Sequence, residues 1–451
     1  MTKEPAASSS PVQSHSGRPR VVVIGGGFGG LEAVKALSVA NVDITLIDRS
    51  NHHLFQPLLY QVATAGLVPA DIARPLREIF SKQKNVTVLL SEVRRIDTAA
   101  RKVITEDLVV AYDFLIVATG SRQSYFGHDE WEKFAPGLKT LADAIEIRRR
   151  MLTAFEVAEK ALDEDERKAA MTFVVVGGGP TGVEMAGAIR EIARYTMTRD
   201  FRNIDSSKAR VLIIEGSKIL AGQPDDICES AKKQLAEIGV EVREGVAVTK
   251  VTGEGVEVKG GEFIPARTVV WAAGNAASPL GKTLGVPVDK SGRVIVNEDL
   301  TIPGHPEVQV VGDAANFSYQ TGKPLPGVSP AAIQGGQHAA RNITETLAGG
   351  SPMKFVYWDK GTLSTIGRNK AVANLGFIRF GGFLAWIAWA AVHIFFLVGF
   401  RNRLAVMGEW IYNYVTFYRG SRLITGMQKG DEALHHPAPG SEPAAPGPGD
   451  K

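Results

Sequence analysis

The chain has 451 residues, 44% of them hydrophobic and 22% charged, the composition of a folded protein too long for one ordinary core. Its formal net charge of +3 gives no bulk electrostatic case for nucleic acid as a partner. A single cysteine, Cys228, excludes an internal disulfide and a Cys-x-x-Cys redox pair.

Residues 1–19 are rich in Ser, Pro and Ala and lack an apolar run, so they read as a disordered tail and not as a secretory signal. Arg20–Ile24 is a β-branched run that enters Gly25-x-Gly27-x-x-Gly30. This strand–loop–helix pattern seats a pyrophosphate. Gly25 makes the tight turn, Gly27 lets backbone approach the phosphates, and Gly30 lets the helix pack on the strand. Leu31–Ala40 continues as helix and Val42–Ile47 as the second strand. That strand ends at Asp48, 18 residues past Gly30, where a carboxylate bonds a ribose hydroxyl. The plainer alternative for Asp48 is a turn or N-cap residue.

His52–Tyr60 is a loop dense in apolar residues, suited either to wrap a ring system or to form a satellite core. Its adjacent histidines have no partner pair at ligand spacing, so no metal is expected. Val86–Leu90 and Lys102–Thr105 are expected to form a β-ribbon. Tyr112–Gly120 reads as a buried parallel strand. It ends in Ala118, Thr119 and Gly120, small residues that let a cofactor lie at the carboxyl end of the sheet.

Asp143–Lys168 is predicted as a long helix with Ile147, Met151, Phe155, Ala158 and Leu162 on its packing face. The glycine pattern then returns as Gly177, Gly179 and Gly182. Helix Val183–Thr196 and strand Ala209–Ile214 lead to Glu215, 33 residues past Gly182. A carboxylate there accepts from a ribose 2′-hydroxyl and repels a 2′-phosphate, which favours NADH over NADPH unless Arg243 and Lys218 temper the repulsion. Glu184 lies just inside the helix, either as a favourable first-turn charge or as a group beside the nicotinamide. Val240–Glu244 and Val246–Val251 again suggest a ribbon, and Ala266–Gly274 repeats the strand that ends in small residues. The order of glycine loop, acid, ribbon and small-residue strand thus occurs twice, a stronger signal than either glycine motif alone. Glu307–Ala315 adds one more short apolar strand, ending at Gly312-Asp313.

This arrangement resembles the two-dinucleotide flavoprotein oxidoreductases. Within them the chain is similar to the type II NADH dehydrogenases, the single-subunit, non-pumping NADH:quinone oxidoreductases. The resemblance rests on His53–Tyr60, Gly177–Glu184, Gly312-Asp313, Ala331–Gly336, Tyr357–Gly361 and the Gly-Phe-Arg-Asn-Arg around Phe400. It covers about residues 20–425. It implies an α/β fold of two Rossmann-like units, with FAD on a discontinuous unit (residues 20–140 and 291–345), NADH on an inserted one (141–290) and a helical membrane-anchoring region (346–430). A Pro/Ala-rich tail, 431–451, reads as disordered. The Gly-Asp acid, Asp313, would bond the flavin's ribityl chain, Glu184 would face the nicotinamide, and Lys360 would lie over or beside the flavin. The family's Ala-Gln-x-Ala-x-Gln quinone signature is matched here by Ser329–Gln334. Ala332 and Gln334 agree, while Ser329 and Pro330 depart. Gln334 would therefore lie at the flavin–quinone mouth, with no side-chain amide at position 330.

Phe383–Phe400 carries one ionisable side chain, His393, in 18 residues. As a helix it would reach roughly 27 Å, close to the bilayer's hydrocarbon thickness. Arg401, Arg403, Trp410, Tyr412, Tyr414, Tyr418, Arg419 and Arg422 follow, a chemistry suited to lipid headgroups. Interfacial anchoring is the leading expectation, ahead of a spanning helix and of a buried helix or dimer seam. The expected partners are a membrane quinone (menaquinone or ubiquinone), the bilayer surface and a second copy of the chain. The expected location is the cytoplasmic face of the cell membrane. Competing readings are an NADH reductase of a small iron–sulfur protein and a non-enzymatic FAD/NAD redox sensor.

Overall fold

The computed structural model describes residues 17–425; the expected C-terminal tail and most of the N-terminal one lie outside the described residues. Arg20–Ile24 occupies the centre of a six-stranded sheet, because its run of β-branched residues is buried on both faces. It pairs in parallel with Asp43–Asp48 on one side and with Phe114–Val117 on the other. His305–Val310 returns to pair in parallel with Phe114–Val117, so the sheet is completed by chain from beyond the second nucleotide unit. That unit has its own parallel sheet, ordered Val240–Glu244, Arg210–Glu215, Thr172–Val176 and Thr268–Trp271. The α/β class and the two Rossmann-like sheets therefore stand as expected.

Both ribbon assignments need the same correction. Val86–Leu90 is the edge strand of the large sheet, parallel to Asp43–Asp48, and Val240–Glu244 is the edge of the second sheet. The ribbons are instead Val93–Asp97 with Lys102–Thr105 and Val109–Ala111, and Val248–Val251 with Gly255–Val258 and Phe263–Pro265. A half-buried edge strand alternates like a ribbon strand, so periodicity alone did not separate them.

The long helix is also two helices. Leu141–Lys160 starts at a capping box, with Thr140 accepting from the Asp143 N–H. It stops at Ala161, and Asp163 then caps Glu164–Ala170 by accepting from the Glu166 N–H. Leu162 falls in the break and is fully exposed, while the other four residues of the expected face are buried. The His52–Tyr60 stretch is a short strand followed by helical turns, with Phe55, Leu58, Leu59 and Tyr60 in the core.

Beyond helix Ser329–Leu347, the chain builds a three-stranded antiparallel sheet (Thr362–Gly367, Lys370–Asn374, Arg379–Gly381) that the sequence reading did not anticipate. Helix Pro180–Glu191 packs so closely on it that a Cβ at Gly187 would lie 1.8 Å from the Ile366 carbonyl oxygen. The apolar segment then forms helix Phe383–Phe396, breaks at Leu397–Gly399, and resumes as Phe400–Thr416. Gly399 takes φ +96°, which ends any continuous helix. The first helix has 14 residues, about 21 Å, against a hydrocarbon core of about 30 Å. Among the described residues no helix is long and apolar enough to cross a membrane, so the spanning alternative is withdrawn.

Candidate active site

The two glycine loops are built alike. A Cβ at Gly25 would lie 2.4 Å from the Ala118 carbonyl oxygen, and one at Gly177 would lie 2.6 Å from the Ala273 nitrogen. Both glycines have positive φ, +102° and +105°. Gly30 and Gly182 each press onto the turn that opens their own loop, where a Cβ would fall 1.8 Å from the Gly25 oxygen and 1.9 Å from the Gly177 oxygen. At Gly27 and Gly179, the N-caps of the following helices, a Cβ would meet nothing within 4 Å. Those open positions face the helix N-termini where phosphate charge is favoured. The acids match as well. Asp48 accepts from the Gly26 and Ser50 N–H groups at 2.6 Å each, and Glu215 accepts from the Gly178 N–H at 2.6 Å and the Ser217 N–H at 2.8 Å. Burial pushes the Asp48 carboxyl up, against the pull of those N–H donors. Arg243 is paired with Glu262, and Lys218 with Asp225, so neither cation is committed to Glu215.

The small-residue strand ends are joined to each other. Ser121–Gln123, just past Gly120, pairs antiparallel with Asn275–Ala277, just past Gly274. Gln123 Nε2 donates to the carbonyls of Ala273 and Gly274 at 2.7 and 2.8 Å. Asp313, brought in by the returning strand, accepts from the Ser121 hydroxyl at 2.7 Å. Lys139 Nζ donates to that same hydroxyl at 3.3 Å, and desolvation lowers its pKa against the opposing pull of Asp313. The cleft above is lined by Ser121, Asn275, Arg293, Gly312, Asp313 and Phe355. Two buried polar atoms outside that lining have no partner: Thr119 Oγ1 at the strand end, and Nε2 of His53, whose Nδ1 bonds the Gly26 carbonyl at 2.9 Å. Orphaned polar atoms, an open glycine loop and a helix N-terminus fit a large, polar, phosphate-bearing group such as FAD. Lys139 and Ser121 were missed in the sequence because nothing in their local spacing announces a contact with Asp313.

Glu184 is the fifth residue of helix Pro180–Glu191 and is partly exposed; the first turn holds no acidic residue, so the alternative of a first-turn charge is withdrawn. Desolvation pushes its carboxyl up to about 8, opposed by a hydrogen bond from the Thr365 backbone. Burial first, and the charge of a Glu184 carboxylate second, raise the pKa of Tyr60, whose hydroxyl accepts from Gln61 Nε2 at 2.8 Å. Gln61 Oε1 in turn accepts from Trp410 Nε1 at 2.7 Å. This helix also carries Glu191, which Arg419 bonds at 3.0 Å while donating to the Thr64 carbonyl at 2.9 Å. Arg422 pairs with Asp200 at 3.1 Å. Trp410, Arg419 and Arg422 therefore face protein, which corrects their assignment to a lipid-facing set. His393 Nδ1 bonds the Trp389 carbonyl at 2.7 Å, and burial pushes its pKa down to about 4. Among the described residues no cluster of three potential metal ligands occurs.

Gln334 and Lys360 come together through the extended segment after helix Ser329–Leu347. Gln334 accepts from the Trp358 N–H at 2.9 Å and donates to the Trp358 carbonyl at 3.0 Å. Lys360 is exposed, its ammonium 5.5 Å from the ring centroids of both Trp358 and Phe396. Ser329 and Pro330 open that helix in its first turn, where proline's missing N–H costs nothing.

A family model for pyridine nucleotide-disulphide oxidoreductases matches residues 19–336, and one for the NDH2 C-terminal domain matches residues 337–417. The type II NADH:quinone oxidoreductase Ndh of Mycobacterium tuberculosis is 44% identical over 439 residues, which cover 93% of this chain and 94% of the relative. NdhA of the same organism is 46% identical over 436 residues, 93% and 92% of the two chains. The chain belongs to the type II NADH:quinone oxidoreductases. The fold agrees: the NDH2 of Plasmodium falciparum, solved in complex with NADH, superposes with a TM-score of 0.82 over 91% of this chain and 100% of that one, at 19% identity. A sulfide:quinone oxidoreductase from Aquifex aeolicus shares the fold with a TM-score of 0.70 at 21% identity, over 85% and 92% of the chains. Cysteine-pair chemistry is closed to this type II enzyme, because Cys228 stands alone and buried.

Proposed function

We propose that the protein is a non-pumping NADH:quinone oxidoreductase that works at a membrane surface. The observation that carries this reading is the identity of 44% and 46% to two type II enzymes across 93% of the chain. When bound, FAD supplies the redox chemistry, accepting hydride from NADH and delivering two electrons to the quinone.

The chain's own residues bind, orient and supply protons. The Gly25–Gly30 loop, Asp48, the Ala118-Thr119-Gly120 strand end and Gly312-Asp313 hold FAD. The Gly177–Gly182 loop, Glu215 and Gly274 hold NADH, with Glu215 accepting from the ribose. Glu184, neutral below about pH 8, keeps a proton on its carboxyl beside the nicotinamide. Lys360 places a positive charge at the quinone mouth. Gln334 serves that mouth through Trp358, since both ends of its amide are engaged there.

The exposed apolar residues Phe395, Phe400, Leu404, Met407, Ile411 and Val415 lie on the two C-terminal helices, where a lipid surface would cover them. We infer that this surface lies on the cytoplasmic face of the cell membrane, where NADH is available, and that a second copy shares the contact. The functional test is the purified FAD-loaded protein, given NADH and then a short-chain quinone. Flavin absorbance is expected to bleach with NADH and to return with quinone. Bleaching without quinone-driven return would sink the reading in favour of an iron–sulfur protein reductase or a sensor.

A further inference from the structure

The segment from Met353 to Gly361 runs extended over the flavin unit without joining any sheet. A strand in that state leaves backbone donors and acceptors to be satisfied along both edges. Here the Phe355 N–H donates to the Glu298 backbone carbonyl at 2.7 Å, and side-chain amides satisfy Met353, Tyr357 and Trp358. Asn342, itself buried, accepts from the Met353 N–H at 2.9 Å and donates to the Met353 carbonyl at 3.1 Å. Gln320 accepts from the Tyr357 N–H at 2.9 Å and donates to the Tyr357 carbonyl at 2.9 Å. Gln334 does the same for Trp358. Each amide thus stands in for one residue of a neighbouring strand.

The geometry of extended chain gives this pattern its mechanical meaning. Consecutive residues direct their N–H and C=O groups to opposite edges. Tyr357 and Trp358 are consecutive, so Gln320 grips one edge and Gln334 the other. The side chains alternate as well. Phe355 and Tyr357 are buried, while Val356 and Trp358 are 73% and 71% exposed. The double grip therefore fixes the rotation of the strand about its own axis. That rotation decides whether the Trp358 ring and the Lys360 ammonium face Phe396, the last residue of the first C-terminal helix.

We propose that Gln320 is a positioning residue for quinone reduction. Gln320 and Gln334 clamp the strap from opposite edges and hold Trp358 and Lys360 as the rim through which the quinone headgroup reaches the flavin. Gln320 touches neither cofactor nor quinone and acts through Tyr357. This rests on the proposed NADH:quinone activity.

The experiment compares Q320L and Q320E with the native full-length, FAD-loaded protein. Leucine removes both bonds at similar volume, while glutamate keeps the acceptor for the Tyr357 N–H and loses the donor. Hydrogen exchange at the peptide spanning residues 353–361 is expected to quicken about tenfold in Q320L and less in Q320E, with other peptides unchanged. The KM for a short-chain quinone is expected to rise about fivefold in Q320L with kcat changed by less than about twofold, and Q320E is expected to fall between. Unchanged exchange in the strap would overturn the clamp. Faster exchange with an unchanged quinone KM would overturn the positioning role, and so would an equal loss in the NADH half-reaction. Should Q320L fail to retain flavin, Q320E carries both measurements. The native enzyme is assayed first: a flavin that quinone does not reoxidise counts against the functional reading, and the exchange data then judge the clamp alone.

Discussion

Glu184 and Glu215 show how differently two carboxylates in one nucleotide unit are treated. Glu215 is met by backbone N–H groups and the Ser217 hydroxyl, donors that suit an anion. Replacing it by Gln removes the charge that repels a 2′-phosphate, and the ratio of kcat/KM for NADPH over NADH is expected to rise about tenfold. Glu184 is desolvated instead. Its folded pKa of about 8 lies above the ordinary 4.5. The folded protein then holds a proton that the unfolded chain releases, so stability is lost as pH rises from the unfolded value through the folded one. E184Q, which stays neutral, is expected to be more stable than the native protein by about 2 kcal/mol near pH 8.5, once solvent at its exposed edge is allowed for. Near pH 5 the difference should almost vanish, and thermal melts at the two pH values read it directly. Both acids were legible as candidates from their spacing to the glycines. What spacing did not reveal was the environment. The pairing of Lys139 with Ser121 and Asp313 joins positions 192 residues apart at its widest, and no local pattern encodes that.

The elements that read best were those whose residues have one physical solution. A β-branched strand that feeds a glycine loop runs on into a helix, and both strand–loop–helix units appeared as expected. Their assignment to different nucleotides is testable by alanine. The Gly30 and Gly182 sites leave no room for a Cβ. G30A is expected to yield protein depleted of FAD. G182A is expected to keep its flavin spectrum but to lose NADH-driven bleaching by about tenfold or more. A matching loss of flavin in both variants would contradict the assignment. Elements read poorly where two solutions share one pattern, as at the edge strands taken for ribbons. The C-terminal sheet was missed because its strands are short and its alternation is interrupted by Arg368-Asn369 and Gly376. The C-terminal helices were over-read, since aromatic and basic residues that suit headgroups also suit a protein groove. Arg419 is the clearest case, with its side chain only 15% exposed between Glu191 and Thr64. R419A leaves the Glu191 carboxylate short of a partner and should cost about 2 kcal/mol, with earlier proteolysis in residues 400–422.

For the molecule as a whole, the division of the chain explains why the surface is divided too. The C-terminal helices are tied to the flavin unit by Trp410 on Gln61 and by Asn402 on the Ala70 and Asp71 carbonyls. Their outer residues are left apolar and uncovered. A double variant, L404E with I411E, is expected to lower co-sedimentation with anionic vesicles about tenfold while leaving oxidation of NADH by a water-soluble quinone unchanged. An unchanged vesicle fraction would shift the surface from lipid to a second copy, read by the oligomeric state in solution.

The return of His305–Val310 to Phe114–Val117 has a consequence for biosynthesis. A nascent chain that has emerged to residue 290 carries all four strands of the NADH unit's sheet, yet its flavin sheet still has a bare edge along Phe114–Val117. Only when residues 305–313 emerge can that edge be paired and Asp313 reach Ser121. The strap and the C-terminal helices come later still. The ribosome therefore completes this protein in the order proposed for electron passage through it: the donor's seat first, the flavin's next, and the quinone's doorway last.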